Sequence, residues 1–270
     1  MRTLATVVFA TALAVLGLIA PGPRVVSAEA ATTLSSLKVV LIVGPVAGST
    51  SYYRSDADAA AAEARRYTNN VITIYSPTAT WAKVKPALQG ASIVVYMGHG
   101  NGSPGPYGPF NPLTEDGLGL NPSAGTDNST TKYYGESYIA SGIHLAPNAV
   151  VFLGHLCYSA GNSESWQPNP TKSVAKQRID NYGAGFLRTN ARVVFAEARN
   201  TAGYILYSLF RTNRTMRQIF WSSPKATHSY AFSFTSSRTS GMTAISDPYA
   251  PSRYYRSVIG KLSMTAATWR

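Results

Sequence analysis

The chain has 270 residues, long for one average domain but ordinary for a single α/β domain with decorated loops. Hydrophobic residues make up 45% and charged residues 13%, which excludes a charged disordered tail and a coiled coil, and a mean hydropathy of −0.05 excludes a multi-span membrane protein. The 24 basic against 12 acidic side chains give a net charge of +12, a balance suited to anionic partners; no run of five or six cations appears, so nucleic acid is not an expected partner.

The amino terminus reads as a targeting segment. Arg2 precedes the apolar run 6–20, Pro21 and Pro23 end it, and Val26-Ser27-Ala28 and Ala28-Glu29-Ala30 are small-x-small cleavage sites. Residues 1–28 are therefore expected to be a secretory signal peptide, with a mature start at Glu29 or Ala31 and a secreted or cell-surface, extracytoplasmic location. The run is short for a bilayer span, so no membrane span is expected after cleavage. Residues 29–36 read as a linker, 37–221 as the α/β domain, and 222–270 as an extension packed on the same domain.

Five apolar segments read as strands buried on both faces: 37–43, 71–75, 93–97, 149–153 and 192–196. Helical patterns lie between most of them, over 56–67, 81–88 and 172–188, the first with acidic residues in its expected first turn and Arg65 and Arg66 in its last. This alternation predicts an α/β three-layer sandwich with a mostly parallel sheet. The stretch 98–135, rich in Gly, Pro, Asn, Ser and Thr, reads as a long functional loop leaving the third strand. Alternating Tyr230, Phe232 and Phe234 predict C-terminal added strands.

Cys157 is the single cysteine, so no internal disulfide exists, and a lone thiol in an oxidising compartment is a liability unless buried or used. Ligands in open α/β sheets sit beyond the carboxyl ends of the strands, where the third strand runs into Gly98-His99-Gly100 and the fourth into Gly154-His155-Leu156-Cys157. A thiol assisted by an imidazole can attack a carbonyl, and the backbone N–H groups of Gly100 and Cys157 can face the developing oxyanion. A zinc site from His99, His155 and Cys157, or a Ca²⁺ site from Glu115, Asp116 and Asp127, are weaker alternatives in ligand type.

The blocks IVVYMGHG and VVFLGHLCYSAG, in this order, resemble the caspase-haemoglobinase fold of cysteine peptidases, which includes caspases, metacaspases, legumains and gingipains. The resemblance extends from Leu37 to about Ala198. It implies a caspase-like cysteine endopeptidase with Cys157 as nucleophile, His99 as base, Gly100 supplying an oxyanion N–H, a polypeptide substrate and no cofactor. His155 and Leu156, immediately before the nucleophile, depart from the family's usual residues. Relatives with basic specificity carry pocket carboxylates near the ends of the first and nucleophile strands; Asp56 and Glu164 follow those strands here, which implies cleavage after Lys or Arg, although Asp56 taken alone reads as a helix cap. A different class of function, a catalytically inactive scaffold adhering to anionic cell-envelope polymers through a basic, Tyr-rich face, fits the same composition.

Overall fold

The computed structural model describes residues 34–270; the expected signal peptide and most of the linker lie outside them. The strands β1 (Val39–Val43), β2 (Val71–Tyr75), β3 (Ile93–Met97), β6 (Ala149–Gly154) and β7 (Ala191–Glu197) form a parallel block in the order β2-β1-β3-β6-β7. The sheet continues through β10 (Arg256–Gly260), β9 (Thr243–Ser246) and β8 (Phe232–Thr235), all antiparallel to their neighbours, giving eight strands. A separate hairpin, β4 (Leu118–Leu120) with β5 (Lys132–Tyr134), lies inside the long Gly/Pro-rich segment.

Successive strand residues point to opposite faces, and both faces are apolar here, so each needs its own helical layer. Val40, Ile42, Val94, Val151 and Val194 pack in one core with α2 (Trp81–Leu88), α3 (Glu136–Gly142) and α4 (Lys172–Leu187). Val39, Leu41, Val95, Phe152 and Phe195 pack in the other with α1 (Thr50–Arg65), α5 (Gly203–Arg211), α6 (Met216–Trp221) and α7 (Ala266–Trp269). The protein is thus an α/β three-layer sandwich on a large, mostly parallel sheet. No helix among the described residues is long and apolar enough to cross a membrane.

One expectation is corrected. α1 begins at Thr50 rather than Asp56, following a 3-10 turn over Ala47–Ser49, so Asp56 sits mid-helix and is not a cap. The expected C-terminal strands are present as β8, β9 and β10 and extend the main sheet: β10 lies between β7 and β9, with Val258 opposite both Phe195 and Ile245.

Candidate active site

The site is fixed by register. Met97 at the end of β3 stands opposite Gly154 at the end of β6, so the loops carrying His99 and Cys157 leave the sheet side by side. A Cβ at position 100 would stand 2.1 Å from the Cys157 carbonyl oxygen and 2.9 Å from the Tyr182 hydroxyl; only glycine allows the two loops to approach this closely. The Tyr96 hydroxyl donates to the Gly119 carbonyl (2.8 Å), lies 3.0 Å from the His99 carbonyl and accepts the Gly119 N–H (2.8 Å), pinning the His99 loop to the β4 hairpin. Arg178 of α4 clamps both loops: Nε donates to the Pro104 carbonyl (2.7 Å) and Nη1 to the Asn162 carbonyl (2.8 Å) and Ser163 Oγ (2.9 Å).

Cys157 is half-buried and lines a cleft of about 570 Å³ with His155, Glu164, Arg199 and Tyr255. A second hollow of about 400 Å³ shares Arg199 and Tyr255 and extends toward Lys225 and Tyr249. His99 is exposed on the neighbouring loop and is not part of the cleft wall; no hydrogen bond joins its imidazole to the thiol. The N–H groups of Gly100 and Cys157 donate to no protein acceptor among the described residues, as an oxyanion site requires.

Burial, reinforced by the Glu164 carboxylate and opposed by Arg178, pushes the Cys157 thiol up to about 11. Burial of the ring lowers the His99 imidazole below its ordinary value, partly offset by Glu164, even though the residue retains solvent contact. The resting pair is therefore neutral thiol and neutral imidazole. A strand-end imidazolium beside Cys157 would have lowered the thiol instead; burial keeps both groups in their neutral forms, and the Glu164 carboxylate adds to it at the thiol.

Glu164 lies on the cleft wall, where its carboxylate accepts from Tyr158 (2.8 Å) and from Tyr107 of the long loop (2.9 Å to each oxygen). Asp56 does not line the cleft but backs one of its wall residues: its Oδ2 is 3.0 Å from His155 Nε2. His155 stacks on Tyr53 with ring centroids 4.6 Å apart and adopts φ 64°, a left-handed backbone uncommon outside glycine. The sequence could not announce this pair, since its members are 99 positions apart. Glu115 and Asp116, the adjacent pair in the calcium alternative, are buried. Among the described residues no group of three or more His, Cys, Asp or Glu is placed to hold a metal ion, so neither the zinc nor the calcium alternative assembles.

No family model matches the chain, and no curated protein matches it. Among solved structures, protein GSU0716 from Geobacter sulfurreducens is similar over 68% of this chain and 86% of its own, at 18% identity and a TM-score of 0.31, a likeness too slight to carry an argument.

Proposed function

We propose that this protein is an exported, caspase-like cysteine endopeptidase. The observation that supports it most is the pairing of β3 with β6, which sets the His99-Gly100 loop against the backbone of Cys157 beside an open cleft. Because thiol and imidazole are both neutral at rest, His99 acts as a general base: it takes the Cys157 proton as Sγ bonds to the peptide carbonyl carbon. The Gly100 and Cys157 N–H groups hold the resulting oxyanion. The imidazolium then protonates the leaving amine, and water, deprotonated by His99, hydrolyses the thioester.

Glu164, the carboxylate on the cleft wall nearest this chemistry, favours a basic side chain before the scissile bond. The test is a peptide-library digest by the mature protein with Cys157→Ala as control. Cleavage after Lys or Arg that the variant lacks supports the assignment; cleavage by both proteins, or by neither, contradicts it.

The raised thiol and the absence of a thiol-imidazole hydrogen bond favour a second reading, a catalytically inactive scaffold that binds anionic cell-envelope polymers. That reading predicts no digestion and no effect of thiol alkylation on adhesion.

A further inference from the structure

The positive charge is unevenly placed along the chain. Ten of the 24 basic residues lie after Glu197, but only one of the 12 acidic residues, Asp247, does. Part of this excess is gathered at the end of the sheet opposite Cys157. There, two contiguous hollows of about 520 and 380 Å³ share Gly241, Lys261 and Ser263, and between them they are lined by Arg192, Arg217 and Lys261 with hydroxyls such as Ser240 and Thr243, but by no carboxylate and no aromatic ring.

The three cations are exposed and none forms an ion pair among the described residues. They are also mounted on one hydrogen-bonded platform. Lys261 N–H donates to the Arg192 carbonyl (2.8 Å) and Arg217 N–H to the Leu262 carbonyl (3.1 Å). Gly260, at φ 138°, makes this possible, because a Cβ there would stand 2.1 Å from the Arg192 carbonyl oxygen. Like charges gathered on a rigid platform without a counter-charge repel one another, which makes the groove a poor structural device and a good receptor for an anion.

We propose that this groove binds a linear phosphate-bearing polymer without aromatic bases. Two guanidinium forks match tetrahedral oxyanions in a bidentate manner, and the hydroxyls supply further donors. The absence of ring surfaces argues against single-stranded nucleic acid, whose bases need stacking platforms. This proposal is independent of the peptidase reading, since the groove lies at the opposite pole of the sheet.

The experiment is titration calorimetry of the mature chain with inorganic polyphosphate at several salt concentrations. The triple variant Arg192→Gln, Arg217→Gln, Lys261→Gln is compared with a charge-matched control, Arg65→Gln, Lys83→Gln, Lys85→Gln, and with Cys157→Ala, each verified as folded by circular dichroism. We expect the groove variant to lose at least ~tenfold in affinity and to flatten the log–log salt slope by roughly two to three, about one per lost phosphate contact, while both controls bind as the parent does. Equal losses in groove and control triples would assign the binding to diffuse charge and overturn the proposal. So would no measurable binding by the parent, or equal or tighter binding of an oligothymidylate of the same charge.

Discussion

Two buried polar regions flank the strand ends, and they are built differently. Around Glu197, Asp247 and Arg256, all nearly or fully buried, every charged atom is answered: Arg256 Nε donates to both Glu197 oxygens (3.0 Å each), Nη1 to Asp247 and Nη2 to the Phe220 carbonyl (2.7 Å). Tyr204 donates to Glu197, and Thr227 and the His228 N–H donate to Asp247. Beneath the His99 and Cys157 loops, by contrast, Asn101 Oδ1, Asp116 Oδ2, Asn162 Oδ1 and the Tyr182 hydroxyl are buried without a protein partner. A satisfied network rigidifies a fold; an unsatisfied one is costly and is tolerated where function demands it. Breaking the first region should therefore cost stability, and breaking the second should cost activity.

The largest effect is expected from Arg256→Met, which strands two buried carboxylates and should destabilise the fold by about 3–5 kcal/mol, read by chemical denaturation. An unchanged midpoint would mean the cluster is not the structural one. On the other side, His99→Ala should lower turnover by roughly two to four orders of magnitude while leaving that midpoint in place. Because the imidazole is lowered, the acid limb of the parent's pH profile should fall below the ordinary histidine value of about 6.5, which a pH series of turnover measures.

Asp116 links the second region to stability through pH. Burial, opposed by the Ser103 N–H, raises its carboxyl from 3.8 to about 8. A raised acid favours the folded state most at low pH, so stability should decline as pH rises through the window from about 4 to about 8, by at most ~1.4 kcal/mol per pH unit. Asp116→Asn, which mimics the neutral acid, should flatten that slope; a variant with the parent's slope would contradict the assignment. The smallest effect is expected from His155→Ala, whose ring is occupied with Asp56 and Tyr53, and whose turnover should fall much less than that of His99→Ala.

The parallel block is legible because its strands are runs of strong β-formers: 71–75 and 93–97 match β2 and β3 to the residue, although β2, at the sheet edge, exposes Thr73 and is not buried on both faces as expected. The start of α1 was not, since Ser51, Tyr52 and Tyr53 are weak helix formers and Asp56 mimics a cap. β9 and β10 escaped because Thr243–Ser246 and Arg256–Gly260 are short and mix polar with apolar residues, their strand state being imposed by neighbours. His99 and Cys157 could be named from motif and order. Their protonation could not, since it depends first on how deeply folding buries each group, and then on Glu164 and, for the thiol, Arg178.

Activation of Cys157 by His99 is read by intact-mass kinetics with a peptidyl vinyl sulfone bearing Lys or Arg next to the warhead. A single adduct on Cys157 is expected, formed at least ~100-fold faster in the parent than in His99→Ala, in keeping with the loss of a general base. Equal, slow modification of both proteins would contradict it.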